Sequence, residues 1–70
     1  MTDIPSPVTG NVWKLTTTVG DEVAAGQQLL ILESMKMEFP LEAPRAGVVA
    51  SIAVAEGQHV AEGEHLLSLD

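Results

Sequence analysis

Seventy residues bound the chain to one domain, residues 1–70, that buries only roughly 60% of its unfolded surface, and with no cysteine it has neither disulfide nor thiolate metal site as a staple. A net charge of −7, from ten acidic and three basic side chains, repels nucleic-acid phosphates and anionic membrane surfaces, and no stretch nears the ~18 apolar residues of a membrane span. Apolar residues make up 46% of the chain but the aromatics are Trp13 and Phe39 alone, so Val, Leu, Ile and Ala must fill the core of a protein expected to be soluble, cytoplasmic and monomeric on its own, with no nucleic-acid or membrane partner.

Met1 to Pro7 has neither the basic nor the apolar region of a secretion signal. From Gly10 the chain enters a β-run, Gly10–Leu15, then a turn-centred stretch, Val19–Val23, then an apolar strand, Leu29–Leu32. The same three segments recur as Gly47–Ile52, Glu56–Val60 and Leu66–Leu69. Laying residues 6–33 over residues 43–70, an offset of 37 with no gap, makes ten of 28 positions identical. What recurs is punctuation and core: Gly20/Gly57 and Gly26/Gly63 mark turns, while Val12/Val49, Leu29/Leu66, Leu30/Leu67 and Leu32/Leu69 supply a buried face. Turn signals about every six to ten residues leave no room for an ordinary helix. Ala46–Glu56 has the best helical propensity, but its aligned partner Thr9–Val19 carries Thr16, Thr17 and Thr18 in succession, so both are assigned as strand. The expected fold is all-β, two similar four-stranded halves covering each other's apolar faces in a flattened barrel or sandwich with pseudo-two-fold symmetry.

Between the two copies, Ser34–Glu42 must join a strand ending near Glu33 to one starting near Met37, which puts the turn on Met35 and Lys36. Two-residue hairpin turns favour Asn-Gly or Asp-Gly because both central residues need positive φ. Here no Gly, Asn, Asp or Pro occurs between Gln27 and Phe39, although the chain uses glycine at its other turns. Such local violations are where function is expected. A lysine at a loop tip is ordinarily a solubilising charge. Methionine on both sides changes that reading, since exposed thioethers add nothing to solubility but offer a flexible contact surface to a partner. The other cations are not marked in this way: Lys14 aligns with Ser51 in a plain strand position and Arg45 aligns with Val8.

Glu33-Ser34-Met35-Lys36-Met37 resembles the attachment motif of biotinyl domains, the biotin carboxyl carrier members of the biotin/lipoyl attachment family. The flanks, Gly-Asp-x-Val-x-x-Gly-Gln-x-Leu from Gly20 to Leu29 and Ala-Pro-x-x-Gly from Ala43 to Gly47, extend the resemblance over nearly the whole chain. Trp13–Val19 aligns without a gap with Ala50–Glu56, as in the insertion-free type of carrier. The resemblance implies a barrel-sandwich of two four-stranded antiparallel sheets with Lys36 on an exposed hairpin. It further implies covalent biotin on Lys36, recognised through Glu33, Ser34, Met35 and Met37. A lysine ε-amine is protonated at neutral pH, so the biotin protein ligase has to supply its deprotonation. The other implied partners are biotin carboxylase and carboxyltransferase subunits or domains, between which the cofactor shuttles an activated carboxyl group on a tether of about 14 Å. The chain is then a carrier with no catalytic residue of its own. It is either free-standing or part of a larger carboxylase, and the acceptor substrate is not encoded.

Two alternatives share the fold. A lipoyl carrier typically has Asp or another non-methionine residue before its lysine and a small residue after it, so Met35 and Met37 favour biotin. An unmodified barrel-sandwich interaction module expands the central hairpin, and nothing is inserted here. A phosphopantetheine carrier using Ser34 would need a helical bundle. His59 and His65 align with the polar Glu22 and Gln28 and are read as surface residues, with no metal or general-base role. Glu33, Glu38 and Glu42 are candidate recognition charges for the ligase or partner enzymes.

Overall fold

The computed structural model describes residues 1–70, and every regular element in it is a strand. In chain order these are β1 (Thr2–Pro5), β2 (Gly10–Leu15), β3 (Glu22–Val23), β4 (Gln28–Ser34), β5 (Met37–Glu42), β6 (Gly47–Ile52), β7 (His59–Val60) and β8 (His65–Leu69). They form two four-stranded antiparallel sheets, ordered β1-β8-β6-β3 and β5-β4-β2-β7. Strand covers only Gly47–Ile52 of Ala46–Glu56 and only Gly10–Leu15 of its counterpart Thr9–Val19; Thr16, Thr17 and Thr18, on which that assignment rests, lie in the loop after β2, where Thr17 Oγ1 donates to the Leu29 carbonyl at 3.1 Å. No helix is long and apolar enough to cross a membrane.

An offset of 37 carries β1 onto β5, β2 onto β6, β3 onto β7 and β4 onto β8, and so turns one sheet order into the other. The symmetry includes the irregularities: a bulge between Val12 and Lys14 in β2 is repeated between Val49 and Ser51 in β6. Two expectations need correction. The sheets are not the sequence halves, because each sheet takes two strands from residues 1–36 and two from residues 37–70. Thr2–Pro5 is a strand with its own place beside β8, although the N-terminal segment carries no strand signal; its pairing, Thr2 with Leu69 and Ile4 with Leu67, is set by a partner at the other end of the chain.

The interleaving is fastened at the turns. Thr18–Asp21, Ala24–Gln27, Ala55–Gln58 and Ala61–Glu64 are built alike, the fourth residue returning a backbone N–H to the first residue's carbonyl and accepting that residue's N–H through its side chain, as in Ala55 N–H to Gln58 Oε1 at 3.1 Å. Their third residue is glycine with φ between 84° and 96°, as a type II turn requires. Gly57 then donates to Val12 O at 2.7 Å, and its twin Gly20 to Val49 O at 2.8 Å, so each repeat's turn is clipped to the other repeat's strand. Thirteen residues form the core, all Ile, Val, Leu or Ala, with Leu29, Leu30, Leu32, Leu66, Leu67 and Leu69 fully enclosed. Alternation along β2 turns Val12 into the space between the sheets, whereas β4 and β8 each carry two consecutive buried leucines, Leu29–Leu30 and Leu66–Leu67, before Leu32 and Leu69.

The two ends of the pseudo-symmetry differ in one respect. Where β4 and β5 are joined by the hairpin, their counterparts β8 and β1 carry the chain termini. Arg45 ties that open end: its guanidinium donates to Thr2 Oγ1 on β1 at 2.8 Å and to the Leu69 carbonyl on β8 at 3.2 Å.

Candidate functional site

The β4–β5 hairpin closes through two residues, with Ser34 paired to Met37 and Met35 and Lys36 between them. Both adopt positive φ, 52° at Met35 and 64° at Lys36, and no other non-glycine residue does so. Positive φ at both central positions is the type I′ geometry whose twist matches paired strands. It sets Cβ against the following carbonyl, which is why glycine and asparagine normally occupy it. The chain thus holds its unusual backbone at the lysine singled out by sequence.

Met35 is 92% exposed, Met37 60% exposed, and Lys36 is exposed between them. Neither methionine reaches the core. Ser34 is half-buried and donates from Oγ to the Thr9 carbonyl at 2.7 Å. Thr9 in turn accepts the Glu62 N–H at 3.0 Å through Oγ1, which links the hairpin base to two loops. Glu33 and Glu38 lie directly opposite each other one step below the turn, and Glu42 pairs with Gln28 at the far end of β5. Like charges in register weaken a strand pair.

Sequence reasoning passed over two supporting residues. A Cβ on Gly10 would run into the Glu33 carbonyl oxygen and stand 3.0 Å from Ser34 Cβ, so β2 can approach the hairpin base only with glycine there. Thr9 supplies the carbonyl that anchors Ser34. Gly10 is among the repeat identities, which was the available signal; Thr9 aligns with Ala46 and left none.

The remaining candidates are placed elsewhere. Lys14 Nζ sits 5.6 Å from the Trp13 ring centroid on β2, and Arg45 is engaged at the chain ends. His59 Nδ1 lies 3.1 Å from Asn11 Oδ1, and His65 Nε2 lies 3.2 Å from Ser68 Oγ on the other sheet, so the histidines are not brought together. No group of three or more His, Cys, Asp or Glu is arranged to hold a metal ion. Chemically the tip offers an exposed primary amine on a short, buttressed turn.

A family model described as "Biotin-requiring enzyme" matches residues 1–69. The chain is 48% identical over 60 residues to a biotin/lipoyl attachment protein of Bacillus subtilis, covering 86% of this chain and 82% of that one. It is 42% identical over 66 residues to a biotin carboxyl carrier protein of Streptococcus mutans, covering 94% of this chain and about half, 51%, of that protein. Among solved structures, the Kluyveromyces lactis urea carboxylase superposes with a TM-score of 0.90 at 34% identity, over 96% of this chain and 6% of that one. The lipoyl domain of the 2-oxoglutarate dehydrogenase complex from Azotobacter vinelandii superposes with a TM-score of 0.87 at 28% identity, over 100% of this chain and 96% of that one. The chain is thus similar both to a biotin carboxyl carrier protein and to a lipoyl domain, and matches over nearly every residue establish that it belongs to the biotin/lipoyl attachment family.

Proposed function

We propose that Lys36 carries biotin in amide linkage to its Nζ, and that the domain is a biotin carboxyl carrier loaded by a biotin protein ligase and visiting a biotin carboxylase and a carboxyltransferase in turn. The observation that carries this reading is the left-handed Met35–Lys36 turn, the one place where non-glycine residues hold positive φ, with the lysine at its apex. The residues fit the cofactor. Attachment through an amide needs an amine that a second protein can reach, and Lys36 projects from a turn whose flanking thioethers are themselves exposed. Bound biotin supplies the carboxyl-carrying chemistry. Everything else is the chain's work. The type I′ turn aims the lysine away from both strands, Ser34 and Gly10 fix the base of the hairpin, and the all-aliphatic core keeps the tip on a body that folds without the cofactor. A carrier of this kind raises the effective concentration of its arm at each enzyme it docks with.

The methionines select biotin over lipoate. The fold is shared by both kinds of carrier, so discrimination falls to the side chains a modifying enzyme meets first, Met35 and Met37. Co-expression with a biotin protein ligase, followed by intact-mass measurement and avidin detection, tests the assignment. One added biotin per chain is expected, and none in Lys36→Arg, which keeps the exposed charge and the fold. Labelling that persists at Lys14 or the N-terminus of that variant overturns it, and an added mass matching lipoate overturns the choice of cofactor.

A further inference from the structure

The two halves of the domain act as controls for each other. On the outer face of β5-β4-β2, Pro40, Ile31 and Lys14 stand in one row across three strands, and the bulge brings Trp13 onto the same side. Burial confirms the direction: Val12 is buried, Trp13 and Lys14 are exposed, and Leu15 returns to the core. The row 37 residues away, on the outer face of β1-β8-β6, is Asp3, Ser68 and Ser51, with Ala50 as its bulge residue. There Ser68, itself buried, donates from Oγ to Asp3 Oδ1 at 2.8 Å and lies 3.2 Å from His65 Nε2, and the face is polar. The same strand pairing and bulge with opposite surface chemistry means that the fold does not require Trp13, Ile31 and Pro40 to be apolar. A tryptophan left 47% exposed beside a proline and an isoleucine marks a contact surface.

We propose that this stripe is where the domain docks on the biotin carboxylase that works at the far end of the Lys36 arm, through an apolar side chain flanked by Lys or Arg on that enzyme. The proposal rests on Lys36 being the biotin site. The charge follows from the border of the stripe: Glu38 and Glu42 stand on either side of Pro40 along β5 and Glu33 stands beyond Ile31 on β4, three carboxylates against one cation, Lys14, whose Nζ lies 5.6 Å from the Trp13 ring centroid at the β2 end. A second copy of the chain is disfavoured, since it would bring the same carboxylates face to face. The ligase must close on Nζ itself, at the turn, whereas Ile31 lies four residues back along β4, roughly 14 Å from it. An enzyme that meets only the end of a long arm gains little from the tip and needs a hold on the body of the domain. A stripe of three side chains gives a small interface, suited to a carrier that has to leave again.

The symmetry also supplies the variant. Trp13→Ala, Ile31→Ser and Pro40→Asp together rewrite the stripe as its counterpart, residues already compatible with that backbone; Trp13→Ala alone serves if the triple variant unfolds. Parent and variant are loaded by biotin protein ligase and then used as substrates of a biotin carboxylase with ATP and bicarbonate. For the variant, KM for the biotinylated domain should rise about tenfold with kcat within about twofold, as loss of uniform binding dictates, while KM and kcat for ligation stay as in the parent. An unchanged carboxylase KM overturns the proposal. A raised ligase KM also overturns it, because the stripe would then be the ligase's contact. Failure of the parent itself to take up biotin is a failure of the attachment reading, and the two are told apart at the loading step.

Discussion

Replacing Met35–Lys36 by Asn–Gly is expected to make the domain more stable and useless as a carrier. The left-handed region costs an L-residue on the order of 1–2 kcal/mol relative to glycine. Lys36, at φ 64°, would shed that strain on becoming glycine. Against this, glycine gives the unfolded chain more freedom, an offset of about 0.4–1 kcal/mol. Asparagine tolerates φ 52° better than methionine and brings no such offset. The pair should therefore gain roughly 1 kcal/mol, which in a domain of this size raises Tm by about 4–8 °C. Urea unfolding followed by far-UV circular dichroism and by Trp13 fluorescence measures it. The midpoint should rise with m unchanged, since the buried surface is the same. Lys36→Arg, which keeps a side chain at positive φ, is the control and should not move. A double variant with an unchanged or lower midpoint would refute the argument that the tip holds strain.

Gly10→Ala should destabilise by about 2 kcal/mol or more, because its Cβ meets the Glu33 carbonyl and backbone has to shift; Gly20→Ala, with open space around its Cβ, loses only the roughly 1 kcal/mol of its positive φ, and denaturant midpoints rank the two. Arg45→Ala removes the clasp between β1 and β8 and should lower stability by about 1.5 kcal/mol, with amide exchange accelerating in Thr2–Pro5 before it does in β4. Met35→Asp with Met37→Ala gives the tip a lipoyl-like character; the melting midpoint should stay within a few degrees, while the initial rate of biotin incorporation or of carboxylase turnover falls. Unchanged rates would mean that the methionines are incidental and that cofactor choice is written elsewhere on the domain.

Much of this molecule was legible before any coordinates. Local chemistry identifies the turns, since Gly20, Gly26, Gly57 and Gly63 all occupy positive φ where the repeat placed them. The repeat also identifies the core, for Val12, Leu29, Leu30, Leu32 and their counterparts are all buried. The hairpin tip was legible by contrast, as the turn without turn residues. All three signals are short-range, or are patterns a chain repeats against itself, and such information survives in one dimension.

Which strands lie side by side was not of that kind. Two similar copies can form one sheet each or exchange strands, and the same sequence pattern is compatible with either, because the inward-facing residues are the same in both. Exchange prevails where Gly20 and Gly57 clip each turn to the opposite repeat and where β1 pairs with β8, 65 or so residues away. The packing of Gly10 and Thr9 against the hairpin base, and the alignment of Trp13, Ile31 and Pro40 into one stripe, are consequences of that pairing. Sequence by itself determined the repeat, the turns and the singular lysine; tertiary structure decided the neighbours, because register between strands is a relation between distant segments that neither segment encodes alone.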